Sequence, residues 1–166
     1  MTFHALLNYL YTDSVDFAPL TSSFLPPGDA HSEASITGLG TNRSQAAALF
    51  NKQMLAAHRA RRELIVNFCE QHPDKKGSCS AKSMYKLADK MNIQELKQRA
   101  KEHIQKSLTE QNIVWELFSG FTAKYPEIMK MQTEFALQHW GKVKKMDAMK
   151  NIFARGSAHP GLAEGE

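Results

Sequence analysis

MYKLADKMNIQELKQRAKEHIQKSLTEQNI, residues 84 to 113, decides the fold. Met84, Leu87, Ala88 and Met91 fall at i, i+3, i+4 and i+7, the spacing of one helical face. After a short break at Asn92 the apolar set restarts with Ile93, Leu96, Ala100 and Ile104 and closes on Leu108. The spacing predicts two amphipathic helices meeting almost end to end. Thr109 precedes a further apolar run with Glu110 in its first turn, which predicts a capped third helix.

Downstream, Ile113, Val114, Leu117, Phe118 and Phe121 extend that third helix to about Tyr125. Pro126, which suits a first helical turn, starts a fourth with Ile128, Met131, Phe135, Ala136 and His139 or Trp140 inward. Met146, Met149, Ile152 and Phe153 predict a short fifth helix, with Arg155 in its last turn and Gly156 as its stop. Residues 156–166 read as a disordered tail.

Upstream, Ser44 is an N-cap for a long helix over 45–72, ended by His72-Pro73. Its stripe is Phe50, Met54, Ala57, Arg61, Leu64, Ile65 and Phe68. Asp74 to Ser80 is a polar loop. Residues 18–44 read as a disordered insertion in which Pro26-Pro27-Gly28 precedes a Gly-, Ser- and Thr-rich run, although Leu20, Phe24 and Leu25 are candidate anchors. At the start, Phe3, Leu6, Leu7 and Leu10 define one helical face. Tyr9 to Thr12 is expected to turn into a strand near Tyr11 to Phe17, an element too short to satisfy its edges alone.

The helix ending Leu87-Ala88-Asp89, the joint, the Leu-rich second helix and Leu108-Thr109-Glu110-Gln111-Asn112 together resemble the end of a BTB/POZ domain running into its helical extension. Phe3-His4-Ala5-Leu6-Leu7-Asn8-Tyr9-Leu10-Tyr11-Thr12-Asp13 is similar to the segment preceding those last helices. Some seventy positions separate the two segments where the family has a short strand and loop; long polar insertions here resemble the fungal branch. The resemblance implies a mainly α fold, a helical array of stacked hairpins left from an α/β domain, with one or two short strands near the N-terminus. It divides the chain into a partial BTB segment (1–17), the insertion (18–44), the long helix (45–72), the last BTB helices (80–108) and a three-box or BACK-like extension (109–155). The family's first half, with its dimer helix and most of its sheet, has no counterpart before Phe3, so the expectation is strands supplied by a partner or a shortened chain, and self-association through that half where it is present.

For function the resemblance implies protein partners. In BTB substrate adaptors the helices after the domain grip a cullin, the scaffold of a ubiquitin ligase. The matching positions are Tyr11, Leu108, Ile113, Val114, Leu117, Phe118 and Phe121. The hydrophobic-x-Glu loop that such adaptors also offer has no equivalent in this sequence.

With 166 residues, 42% of them hydrophobic, the chain can bury a core. No run approaches the roughly 18 apolar residues of a membrane span, and no secretory leader pattern opens the sequence, which sets a cytoplasmic or nuclear expectation. Cys69 and Cys79 are too few for a disulfide framework. The formal charge of +4 is spread through the helices. Two basic clusters, Arg59, Arg61 and Arg62 after His58, and Lys142, Lys144 and Lys145, define the alternative reading, a helical protein binding nucleic acid or acidic partners. Interleaved Glu63 and Glu70 favour a solvated face instead.

Enzyme chemistry finds little footing. Cys69, His72 and Cys79, with His58, lack the paired spacing of a zinc site. Cys79 has lysines nearby at 75, 76 and 82 to lower its pKa, but no His or Asp placed to act with it. Gly38 and Gly40 lack the lysine and helix of a P-loop. The reading is a non-enzymatic module that requires no cofactor and no metal.

Overall fold

The structure is a computed structural model that describes residues 2–25, 42–71 and 78–156. It is mainly α. In chain order the described elements are α1 (Thr2–Thr12), β1 (Phe17–Ala18), a 3-10 turn (Thr21–Phe24), α2 (Asn42–Gln71), β2 (Cys79–Ser80), α3 (Ala81–Lys90), α4 (Gln94–Lys106), α5 (Ile113–Leu117), a second 3-10 turn (Thr122–Lys124), α6 (Pro126–Gln138), α7 (Trp140–Val143) and α8 (Asp147–Gly156).

The α3–α4 hairpin is the centre. Ser80 caps α3 by accepting from the Ser83 amide at 3.4 Å. The helix ends where Asn92 takes a left-handed conformation, φ 55°. There the Ile93 amide donates to the Ala88 carbonyl at 2.9 Å and the Asn92 amide to the Asp89 carbonyl at 3.2 Å, a Schellman stop. That turn folds α4 back on α3. Met84 and Ala88 then meet Leu96, Ala100 and Ile104, all fully buried as their spacing predicts; Tyr85, outside the predicted stripe, is buried with them, and Met91, the stripe's last member, is exposed.

The segments resembling the family are joined in space. β1 pairs with β2 in parallel, Phe17 opposite Cys79 and Ala18 opposite Ser80, and the Cys79 amide donates to the Asp16 carbonyl at 3.0 Å. The expected strand at Tyr9 to Thr12 is instead helix through Thr12, and the strand that does form, at Phe17–Ala18, finds its partner within the chain. α1 buries Ala5, Leu6 and Tyr9. Its C-terminal end is clamped by Arg99, which donates to the Asp13 carbonyl at 2.7 Å and to both Asp13 carboxylate oxygens at 3.0 Å, while its guanidinium lies 5.2 Å from the Tyr9 ring centroid.

Residues 18–25, read as the start of a disordered insertion, are ordered. Ala18, Leu20 and Ser22 are buried, so the chain is docked through Leu25, and α2 starts at Asn42, two residues ahead of Ser44. The rest of that segment and the tail from residue 157 lie outside the described residues. On α2, Ala57 is buried and Met54, Ile65 and Phe68 are half-buried, but Leu64 is exposed; the Phe50 side chain is not among those described.

The third helix is also shorter than predicted. Thr109 and Asn112 form a reciprocal cap, the Asn112 amide donating to Thr109 Oγ1 at 3.2 Å and the Thr109 amide to Asn112 Oδ1 at 2.8 Å. α5 then stops at Leu117, because Ser119 and Gly120 are poor helix formers and the Ser119 hydroxyl accepts from the Thr122 amide at 3.2 Å, starting a separate 3-10 turn. α6 begins at Pro126 as expected, and α7 breaks away after His139.

A buried carboxylate ties these pieces together. Glu116 on α5 accepts from the Ser22 hydroxyl at 2.6 Å and meets the Lys82 ammonium at 2.7 and 2.9 Å. A second carboxylate, Glu127 of α6, takes a hydrogen bond from the Tyr85 hydroxyl and an ion pair with Lys97 at 2.7 Å, and Lys97 also holds Asp89 at 2.8 Å.

Glu116→Ala leaves Lys82 and Ser22 facing a void and should cost about 3 kcal/mol, read from the urea midpoint. Hydrogen bonds from Lys97 and Tyr85 hold the Glu127 carboxyl below its ordinary value of 4.5. A depressed native pKa contributes stability that is full above the unfolded value and lost as pH falls through the native one. The stability difference between wild type and Glu127→Gln should therefore be larger at pH 7 than at pH 3, measured by denaturant unfolding at both.

Candidate partner-binding surface

Four of the seven positions matched to a cullin-contacting surface are core. Leu108, Ile113, Val114 and Phe121 are buried in the one core cluster, where α5 and the turn after it pack against α6. Their side chains are not offered to a partner. Phe121 instead stacks edge-on against Tyr85, centroids 5.6 Å apart, and lies 5.1 Å from Tyr125. Leu117 is half-buried. Tyr11, at 88% exposure, and Phe118, at 58%, stand in solvent.

α1 departs from the expected face. Phe3, Leu7 and Leu10, read with Leu6 as the inward set, are exposed at 59, 38 and 59%, whereas Ala5 and Tyr9 join Leu6 inside. At 100° per residue the buried three occupy one arc and Phe3, Leu7, Leu10 and Tyr11 a second, of about 100°. The sequence is apolar over both arcs, so periodicity alone does not choose between them. Phe3 and Thr2 also border a cleft with Ser83, Lys86, Leu87 and Lys90 of α3. Lys86 closes one side of that cleft and sits 5.6 Å from the Phe121 ring centroid.

The basic residues do not form one patch. Arg59 and Arg62 are exposed on α2, but Arg61 turns inward and its Nε donates to the Pro19 carbonyl at 2.6 Å. Burial lowers the Arg61 pKa. It is an anchor for the docked segment, which its place in the α2 stripe signals. Lys142 pairs with Glu110 at 2.8 Å, and Lys144 and Lys145 are exposed. The first three sit on α2 and the second three on α7 and the turn after it, with Arg61 and Lys142 of the six cations already engaged by the protein.

Cys79 lies in β2, buried, and desolvation pushes its thiol up to about 11. This reverses the activation suggested by neighbouring lysines: Lys82 faces Glu116, and positions 75 and 76 lie outside the described residues. Cys69 is half-buried on α2. Among the described residues no three His, Cys, Asp or Glu side chains are grouped to hold a metal, and His72 is not among them. No helix among the described residues is long and apolar enough to cross a membrane. His103, held against the Phe17 ring at 5.1 Å, has its pKa lowered by burial and bonds the Ala18 backbone, a structural tie between α4 and β1.

Compared with known proteins, the chain matches no family model, no curated protein and no solved structure. The surface is therefore defined by its own geometry: two separately exposed aromatic positions, Tyr11 near the end of α1 and Phe118 just after α5.

Iodoacetamide at pH 8 should modify one thiol per native chain, Cys69, and two after unfolding, as counted by intact mass. Equal rates for both thiols in the native protein would contradict the burial of Cys79.

Proposed function

We propose that this chain is a non-enzymatic interaction module of BTB/POZ type, comprising the later part of that domain with its three-box or BACK-like extension, and that it works as an adaptor on a cullin-based ubiquitin ligase. One observation carries the reading. The two stretches that resemble the family, about seventy positions apart in sequence, pack on each other: α1 lies against α3, Phe3 and Leu87 line one cleft, and β1 pairs with β2. That the two stretches meet across so long an excursion is what supports the reading. The Thr109–Asn112 cap supports it further, since it starts the extension where the family's extension starts.

In this reading Phe118, Leu117 and Tyr11 are the contact residues, and Leu108, Ile113, Val114 and Phe121 shape the helices that present them. Aromatic side chains standing free of a packed helical array are the kind that anchor interfaces. The partner is a cullin N-terminal segment, and substrate choice belongs to some other protein or domain.

The full chain, immobilised, should retain a cullin N-terminal domain, and Phe118→Asp should weaken retention at least tenfold with the far-UV circular dichroism unchanged. Absence of binding at tens of micromolar by a folded chain discards the adaptor role.

A further inference from the structure

α2 packs on the docked segment through one side, where Ala57 is buried and Arg61 bonds the Pro19 carbonyl. On the side opposite Ala57 run Lys52, Leu55, Arg59, Arg62 and Val66, all exposed, Leu55 at 55% and Val66 at 47%. Their spacing of three, four, three and four residues is that of a coiled-coil seam, and at 100° per residue it holds them within an arc of about 80°. Seam positions are ordinarily apolar, yet Lys52, Arg59 and Arg62 put cations there. None of these cations has an ion pair among the described residues.

We infer that this seam takes an acidic helix of another protein, whose Glu or Asp side chains meet Lys52, Arg59 and Arg62 and whose aliphatic side chains cover Leu55 and Val66. Charge selects that occupant. Two copies of α2 laid parallel set Arg59 against Arg59 and Arg62 against Arg62. Laid antiparallel with Leu55 over Val66, they set Arg59 against Arg62 twice. Like charges at facing seam positions reject both pairings, so the partner is not a second copy of this chain.

A nucleic-acid backbone fits the seam less well than a helix does. Glu63 and Glu70, both exposed, border the line on one side, so a continuous row of phosphates is repelled along its C-terminal half. Leu55 and Val66 would meet nothing apolar there. A helix instead presents a different group at each step, with carboxylates facing the three cations, Leu or Ile facing the two aliphatic residues, and Lys on the flank towards Glu63 and Glu70. Lys52 to Val66 spans about 21 Å, so the partner needs about four turns. This inference uses no residue of the cullin-contacting surface and stands apart from the adaptor reading.

The probe is a labelled synthetic helical peptide with Glu, Leu, Glu, Glu and Leu at successive seam positions and Lys on its flanks, compared with a second peptide in which each seam Glu is Lys. Fluorescence anisotropy with the full chain should show binding of the Glu peptide at roughly tens of micromolar, weakening as salt rises, and binding of the Lys peptide at least about tenfold weaker. Arg59→Glu combined with Arg62→Glu, both at exposed positions, should reverse that preference with the far-UV circular dichroism unchanged. Phe118→Asp should leave peptide binding as it was while lowering cullin retention, which separates the two surfaces. Equal affinity for the two peptides, a preference that the double variant does not reverse, or tighter binding of a short DNA duplex than of the Glu peptide would overturn the proposal. So would a dimer of the full chain in sedimentation equilibrium that Leu55→Asp returns to 18.7 kDa.

Discussion

The Glu116 carboxylate is the point at which three distant parts of the chain are made to agree. Its oxygens face the Ser22 hydroxyl and the Lys82 ammonium, so the docked turn, the start of α3 and α5 are fixed relative to one another by one buried charge. A carboxylate so enclosed is tolerable only with both partners in place. Displacing the turn at Thr21–Phe24 thus strips a hydrogen bond from the centre as well as a contact from the edge. The neighbouring Asn112 repeats the arrangement more weakly, with its side-chain Nδ2 donating to the Ser107 carbonyl at 2.8 Å and to the Ser23 hydroxyl at 3.3 Å.

Such ties are needed because the sheet is minimal. Phe17 and Cys79 are sixty-two positions apart, and closing a loop of that length costs about 4 kcal/mol by the logarithmic rule. Two residues of parallel pairing do not offset that cost. The remainder comes from burial of Ala18 and Leu20, from the Arg61 bond to Pro19, from His103 against Phe17, and from the Arg99 clamp on Asp13. The polar contacts around the arm bring α1, α2, α4 and α5 to bear on one short stretch.

Much of this architecture was legible from spacing. The α3–α4 pair, with its buried Met84, Ala88, Leu96, Ala100 and Ile104, and α6, with Ile128, Met131 and Ala136, follow directly from their apolar period, and Asn92 marked the joint where a left-handed residue is required. The failures have physical causes. α1 is apolar around most of its circumference, so its pattern does not say that Ala5 and Tyr9 face inward and Phe3 and Leu10 outward. Arg61 carries a charge yet occupies a packed position, because one backbone carbonyl of the docked arm needed a donor. Ser119 and Gly120 were weak enough helix formers to end α5 amid an apolar run. Ile113, Val114 and Phe121 illustrate the limit of reading a contact surface from a resemblance, which does not tell the direction in which each side chain points.

α2 is a 30-residue helix, about 45 Å long, whose main packing partner is the four-residue turn at Thr21–Phe24. So long a rod held near its middle gives the molecule two tiers of rigidity. The rod can lift off the arm with a modest loss of contacts, the Arg61 bond to Pro19 among them, while the arm stays tied to α5 and the α3 to α6 bundle stays closed. Backbone amides along the rod should therefore trade their hydrogens for deuterium well before those of α3 and α4, and a protease would find its first foothold there.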